Sequence, residues 1–176
     1  MKRHWMAVSS IALMALAGCS TLKTSVDYDR SANFSTYKTF SWRDSGEIRN
    51  PLLAKRIEAA VTSELSRKGL TQASGDDADL WIVAHPRLSQ ETQVTTYNSG
   101  WGYGWRYRGG GVSTAKVEQI PVGTLIVDLV DAKQKELVWR GIASDTLKPE
   151  NSVEERERAL AKAVAEMFAK YPPAGS

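Results

Sequence analysis

Hydrophobic and polar residues alternate in two stretches near the start of the chain, as they do in half-buried β-strands. Val26 and Tyr28 alternate strictly with polar residues, and the segment 36–43 does so less strictly. Successive side chains of a strand point to opposite faces of a sheet, so a period of two indicates a strand with one buried face. The pattern predicts two short strands, near residues 24–29 and 36–43.

Two further segments have apolar residues three and four positions apart, which predicts amphipathic helices. Asn50 and Gly69 are the start and end signals of the first helix, an N-cap and a left-handed C-terminal glycine. The second helix begins at a capping box formed by Ser152 and Glu155 and stops before Pro172. The predicted apolar stripes are Leu53, Ile57, Ala60, Val61 and Leu65 in the first helix, and Val153, Leu160, Val164, Met167, Phe168 and Tyr171 in the second.

A long strand is predicted from Leu80, followed by a hairpin arm that leaves the core. Residues 80–84 are continuously apolar, which is typical of a strand buried on both faces. Pro86 lacks the N–H that a central strand needs, so we expect a bulge or a sheet edge there. Beyond Pro86, and again from Val112 to Ile120, the chain is polar on both faces. These two polar strands flank a glycine-rich loop at residues 98–111.

The clearest hairpin follows this arm. Its register pairs Leu129 with Trp139, which we predict to lie on the helix-covered face. The same register places Asp128 opposite Arg140 on the other face. Charges between apolar neighbours are costly unless they are paired, so we expect a structural ion pair that fixes the register. The alternative is that Arg140 binds an anionic ligand.

Together these elements predict one α+β domain, a two-layer sandwich in which two helices cover one face of a mainly antiparallel sheet. The predicted order is β-β-α-β-β-β-β-α. A chain of 176 residues is long enough for a domain with its own core. We expect this domain to cover residues 24–171, followed by a C-terminal tail at 172–176.

The N-terminus has the features of a secretory signal that ends in a lipoprotein box. A basic start precedes an apolar run at residues 6–17, which is too short to span a bilayer as a stable helix. The segment Leu16-Ala17-Gly18-Cys19 is similar to the bacterial lipoprotein box, in which the Cys thiol receives lipid and becomes the mature N-terminus. Cys19 is the only Cys of the chain, and lipidation accounts for a lone Cys in an exported protein. An ordinary signal peptide that contains a Cys is the alternative.

This interpretation predicts a signal peptide at residues 1–18 and a lipidated tether at 19–23. Ser20 follows the lipidated Cys. In Gram-negative lipoproteins an Asp at that position favours the inner membrane. By resemblance, Ser20 implies an outer-membrane anchor and a domain on the periplasmic side.

The small excess of basic over acidic residues does not indicate nucleic-acid binding. The formal charge falls from +3 to +1 when Lys2 and Arg3 leave with the signal peptide. No Lys/Arg-rich run remains, and tracking of a phosphate backbone needs a clustered basic face. We therefore expect no nucleic-acid partner.

The mature chain is poor in groups for catalysis. His85 is its single His, and we expect it at a strand end, bonded to backbone. The Gly-x-Ser-x-Gly motif of hydrolases is missing, and the glycine-rich stretch lacks a Walker lysine. Asp76, Asp77 and Asp79 lack the Gly and the distal Glu of a calcium loop. We predict a non-enzymatic protein without cofactor or metal, and keep a hydrolase as the third hypothesis.

The stretch NSGWGYGWRYRGGG, residues 98–111, combines six Gly with four aromatic residues and two Arg. Three interpretations are open: a flexible loop whose rings touch the domain's own surface, a protein-contact tip, and a membrane-surface tip. Trp, Tyr and Arg are enriched at binding hot spots, and the stretch lacks the Leu, Ile and Phe that would insert into lipid. Of the two functional interpretations we favour the protein contact. Its candidate contact residues are Trp101, Tyr103, Trp105, Arg106, Tyr107 and Arg108.

Four segments resemble, in the same order, a bacterial lipoprotein family known only as domain of unknown function 4136. They are VDYDRSANFSTYKTFSW, NPLLAKRIEAAVTSELSRKGL, DADLWIVAH and GTLIVDLVDAKQKELVWRGIA. The resemblance covers most of residues 24–171, and its most specific parts are Asp79-Leu80 and the run from Gly123 through Gly141. It implies the α+β fold and a location in the cell envelope, and it implies no activity, substrate or catalytic residue.

The leading hypothesis is a lipid-anchored outer-membrane module that binds an envelope protein or serves as a scaffold. The runner-up is a lipid- or small-ligand-handling accessory of a transport or assembly system. The two differ in what they require of the structure, since ligand handling needs an apolar groove between the helices and the sheet.

Overall fold

The computed structural model of the chain describes residues 21–75, 77–98 and 113–173. Its strands are β1 (Lys23–Tyr28), β2 (Thr39–Arg43), β3 (Thr71–Gln72), β4 (Leu80–Asn98), β5 (Ser113–Asp131) and β6 (Glu136–Thr146). Its helices are α1 (Pro51–Arg67) and α2 (Val153–Phe168), and a short 3-10 helix, Phe34–Thr36, precedes β2. Neither α1 nor α2 combines the length and the apolar character needed to cross a bilayer.

The six strands of the described part form one sheet in the order β1-β6-β5-β4-β2-β3. The pairs β1–β6, β6–β5 and β5–β4 are antiparallel, whereas β2 runs parallel to both β4 and β3. Helix α2 packs against α1, β6 and β1, so the helices form a second layer. The predicted α+β sandwich with a mainly antiparallel sheet is confirmed, and its parallel pairs are confined to the edge at β2 and β3.

The order of elements matches the prediction, but two strands are placed differently. The pattern predicts separate strands from Val112 and from Gly123, whereas the structure has the single strand β5. Pro121 does not interrupt β5, because it lies just past the end of β6, where no strand of the described part needs its N–H as a donor. On that same side, its carbonyl accepts a hydrogen bond from the backbone of Leu147 at 2.8 Å. The pattern also misses β3, whose two residues are too few to show an alternation.

Both helices begin where the sequence predicts. The side chain of Asn50 accepts a hydrogen bond from the backbone of Leu52 at 3.0 Å, and Gly69 follows α1 with a φ of 87°. Ser152 and Glu155 form the complete capping box of α2, with each side chain bonded to the backbone of the other residue. The hydrogen bond from the backbone of Ser152 holds the pKa of the Glu155 carboxyl below its ordinary value.

The core lies between the sheet and the helices, with Trp139 near its centre. Trp139 is fully buried, and its ring lies 4.8 Å from that of Phe168 and 5.7 Å from that of Tyr171. The predicted register is confirmed, since Leu129 pairs with Trp139, and both lie on the helix-covered face. A Cβ at Gly141 would lie 2.4 Å from the Trp139 ring and 2.5 Å from Met167, so the close approach of α2 requires glycine there.

Pro86 lies in a part of β4 that has a neighbour on one side. On that side it pairs with Leu125 of β5. On the other side, β2 accompanies β4 only as far as the pair Arg43 and Val83. The expected edge position of this proline is therefore confirmed.

Candidate functional site: the hairpin arm and the open sheet face

Beyond the body of the sheet, β4 and β5 continue together as a two-stranded ribbon, which we call the hairpin arm (residues 89–98 and 113–122). β6 pairs with β5 only as far as Val122, whereas the β4–β5 register continues to the pair Asn98 and Ser113. At roughly 3.4 Å per residue the arm extends about 33 Å from the body of the sheet. A two-stranded ribbon of this length is marginally stable in water by itself, so we expect the arm to have a function that compensates for its low stability.

One face of the arm and its base bears three exposed apolar side chains, Leu88, Val94 and Val117, with the polar residues Gln90, Thr92 and Gln119 between Leu88 and the two valines. The apolar side chains are 72%, 60% and 63% exposed, and the two valines stand directly opposite each other. They continue the alternation that puts Leu80 and Ile82 into the core, but the helices end before the arm begins. The expectation of an arm polar on both faces therefore holds only in part, because this face also carries the exposed pair Val94 and Val117. The two valines become neighbours only through the register.

The other face of the arm is charged. Glu91 is exposed on β4, and Lys116 and Glu118 are exposed on β5. Lys116 Nζ lies 3.2 Å from the Glu118 carboxylate. This face thus carries charges of both signs, together with Ile120, which stands opposite Glu91.

The predicted contact residues of the loop and the predicted lipidation site, Cys19, lie outside the described residues. These loop residues are Trp101, Tyr103, Trp105, Arg106, Tyr107 and Arg108. The described residues that flank the loop, Asn98 and Ser113, are paired neighbours at the end of the arm that is farthest from the core.

The open face of the sheet, opposite the helices, has the ion pair that the register predicts. Arg140 donates two hydrogen bonds of 2.6 Å to the two carboxylate oxygens of Asp128. The Asp128 side chain is 9% exposed and that of Arg140 is 43% exposed. Hydrogen bonding to Asp128 raises the pKa of the Arg140 guanidinium. On its other side Arg140 pairs in register with Asp27 of β1, so an arginine stands between two carboxylates. This surrounding negative charge disfavours the alternative of an anion site at Arg140.

His85 lies beside this pair rather than at a strand end. It is inside β4, with Nδ1 at 3.1 Å from Glu47 and Nε2 at 3.6 Å from Asp128. The expectation of a strand-end His bonded to backbone is therefore wrong. Glu47 comes from the segment between β2 and α1, which has no periodicity that would place it, and so the sequence gives no signal for this contact.

The cluster of Glu47, His85, Asp128 and Arg140 consists of ionisable side chains, but its geometry does not indicate a catalytic mechanism. The neighbouring hydroxyl of Ser45 donates a hydrogen bond of 2.9 Å to the carbonyl of Ala84, which keeps it away from the imidazole. Within residues 21–75, 77–98 and 113–173, no three His, Cys, Asp or Glu side chains are grouped so that they could hold a metal ion. What the cluster can do is stabilise the open face by linking β4, β5 and β6.

A double-mutant cycle on Asp128→Ala and Arg140→Ala is expected to give a favourable coupling of about 0.5–1 kcal/mol in the free energy of unfolding. Arg140→Ala should lower the free energy of unfolding more than Asp128→Ala does. The first change leaves a buried carboxylate without its arginine, whereas the second leaves a guanidinium that is already half-exposed to water. Chemical denaturation of the four proteins measures both quantities. The pair Arg56 and Glu157, which joins α1 to α2 by a single contact of 2.9 Å and lacks a buried carboxylate, serves as the control cycle, with a smaller coupling expected. A coupling of zero for Asp128 and Arg140 would remove the energetic role of the pair.

The space between the helices and the sheet is filled by side chains. Trp139, Met167 and Phe168 are fully buried there. Two grooves in the described part lie elsewhere on the surface. One, of about 390 Å³, lies between Asp145 and Arg158, and the other, of about 210 Å³, lies beside Tyr28. This packing does not favour the runner-up hypothesis, which needs an apolar groove between the layers.

Comparison with protein families identifies the chain. The model described as "Domain of unknown function (DUF4136)" matches residues 24–173. The chain therefore belongs to this family, as the resemblance of its segments predicts. The family indicates no catalytic activity. No curated protein matches the chain.

Several solved structures align with this chain at low sequence identity. A PDZ domain protein from Parabacteroides distasonis aligns with a TM-score of 0.55 at 20% identity, over 89% of this chain and 36% of that one. This chain thus spans about a third of that protein. The PelC dodecamer from Paraburkholderia phytofirmans aligns with a TM-score of 0.48 at 13% identity, over 84% of this chain and 95% of that one. A minor lipoprotein from Acinetobacter baumannii gives a TM-score of 0.37 at 12% identity, over 76% and 88%. The first likeness shows the fold alone, and the other two are too weak to carry functional information.

Proposed function

We propose that this chain is an outer-membrane lipoprotein, anchored through Cys19 on the periplasmic side, that acts without catalysis as a protein-binding or scaffold module. The observation that carries the proposal is the hairpin arm. It brings Asn98 and Ser113, which flank the loop, about 33 Å from the body of the sheet and exposes the valine pair Val94 and Val117 to solvent. Apolar side chains exposed together on a projecting arm support an interaction site.

The start of the domain supports a position close to a membrane. β1 begins at Lys23, only four residues after Cys19, which allows at most about 14 Å of extended chain. Thr21 donates a hydrogen bond to Asp145, which holds the start of the described chain against the domain. A lipid on Cys19 would therefore keep the domain at the bilayer surface.

The arm leaves the domain at the same end as this tether. Lys23 pairs with Ser144, Ser144 with Thr124, and Thr124 with Arg87, so the four residues form one row across the sheet. The arm begins two residues beyond Arg87. An anchored domain would then present its arm to partners near the membrane, which supports an envelope protein as the partner.

Replacing residues 98–113 by a two-residue Asn-Gly turn is expected to abolish capture of the envelope partner. Such a turn suits the pair Tyr97 and Thr114, whose backbone groups face each other across the two strands, so the domain should keep its stability. The measurement is a pull-down from envelope extract with the tagged full chain. Glu58→Ala, on the exposed face of α1, serves as the control and should capture as the unchanged chain does. Equal capture by the variant that lacks the loop would contradict the proposal.

A further inference from the structure

We infer that a second copy of this chain pairs with the hairpin arm along the free edge of β5, antiparallel and centred on Val117. This pairing goes beyond the proposed function, because it concerns the side of the arm rather than the loop at its end. It would stand even if residues 98–111 had no partner, and it is tested separately.

The backbone of β5 offers an unpaired edge over residues 113–120. The last contact on that side joins the Leu147 N–H to the Pro121 carbonyl at 2.8 Å. Backbone groups alternate between the two sides of a strand, so those of residues 119, 117 and 115 point the same way as those of Pro121. β6 ends at Thr146, and within the described part of the chain no other strand takes its place. Such an edge is a template for another strand.

The sequence along this edge is complementary to itself. In an antiparallel pair centred on Val117, this valine meets the same valine of the second copy across a hydrogen-bonded pair. Lys116 then stands opposite Glu118 of the partner subunit, and symmetry repeats the contact on the other side of the axis. Both charged side chains are largely exposed, at 67% and 59%, so the contact of 3.2 Å that they make within one copy can be extended to the second copy. Opposite charges facing each other across strands stabilise the pairing, and the 63% exposed Val117 becomes covered.

The free edge of β4 is less suited to a partner strand. At its base the segment that precedes α1 already covers it. Ser45 donates a hydrogen bond to the Ala84 carbonyl, and Glu47 lies 3.1 Å from His85 and 3.9 Å from Arg87. A lipid surface is also a poorer match than a second copy for the β5 edge, because hydrocarbon cannot satisfy unpaired backbone groups.

Cysteine crosslinking in membranes of cells that make the full chain tests the pairing. Val117→Cys is expected to give a dimer with a short bis-maleimide, because the paired Cα atoms would be roughly 5.5 Å apart. Val94→Cys is the matched control, since this valine is equally exposed on the neighbouring strand of the same arm but lies outside the pairing. The control should give about tenfold less dimer. The unchanged chain reports on Cys19: a crosslink there would show an unlipidated thiol and count against the proposed anchor, without bearing on the arm.

Charge reversal in the Val117→Cys background identifies the contact. Lys116→Glu and Glu118→Lys should each lower the dimer yield about fivefold or more, because like charges then face each other twice. When the two variants are made in the same cell, the mixed dimer should return, since its charges are complementary again. Glu91→Lys, which changes the charge of the same face outside the pairing, should leave the yield unchanged.

Three results would overturn the inference. One is equal dimer yields from Val117→Cys and Val94→Cys. Another is a yield that does not respond to the charge of residues 116 and 118. The third is the absence of dimer together with labelling of Val117→Cys by a membrane-embedded maleimide, which would show that the arm lies on lipid instead.

Discussion

Replacement of Trp139 by alanine is expected to lower the free energy of unfolding by about 3–5 kcal/mol, as large-to-small changes in a packed core do. The ring is fully buried and contacts Phe168 and Tyr171, which belong to α2 and the turn after it. Its removal would leave a cavity where the sheet and the second helix meet. Because Gly141 lets Met167 approach the same ring closely, the surrounding structure has little freedom to close the gap.

Equilibrium denaturation measures this loss, and Trp81→Ala is the matched control. Trp81 lies on the open face, half-buried, with the Arg43 guanidinium 4.6 Å from its ring centre. The control removes the same atoms from a site that solvent can refill, so a smaller cost of about 1–2 kcal/mol is expected. A cost below about 1 kcal/mol for Trp139→Ala would contradict the central position of this ring.

Replacement of Cys19 by alanine is expected to remove stable membrane attachment altogether. The thiol is the proposed acceptor of lipid, and the chain has no other Cys that could replace it. Each buried methylene of an acyl chain contributes about 0.8 kcal/mol, so several chains make an effectively permanent anchor. Without them, the variant should remain unprocessed by the lipoprotein route.

Fractionation of cell membranes at high salt measures this attachment. Ser20→Asp is the matched control, since it keeps the thiol. By resemblance to Gram-negative lipoproteins, this variant should move to the inner membrane while it stays lipidated. If Cys19→Ala still fractionates with the outer membrane at high salt, the anchor hypothesis is wrong.

Local signals in the sequence were sufficient to predict the elements that depend on neighbouring residues. The caps at Asn50 and Ser152 and the hairpin that pairs Leu129 with Trp139 are confirmed because each involves few residues and a clear period. The ion pair of Asp128 and Arg140 follows from the same register. Such features depend on residues that are close together in the chain.

Features that depend on contacts between distant segments cannot be predicted from the pattern of hydrophobic and polar residues. Pro121 looks like a break between strands, and only the end of β6 beside it shows why the strand continues. The contact between Glu47 and His85 joins a segment without periodicity to a strand nearly forty positions later. The exposed pair Val94 and Val117 likewise arises only through the long register of β4 and β5.

The most direct test of the central claim is site-specific photocrosslinking from the loop in living cells. A photoreactive amino acid in place of Trp105 in the full chain should form a discrete adduct with an envelope protein, because the claim makes this loop the contact of an anchored binding module. The same group in place of Glu58, exposed on α1, is the control and should not form that adduct. Discrete adducts that are found at Trp105 and missing at Glu58 are the predicted result. The same adducts at both positions, or none at Trp105, would contradict the claim.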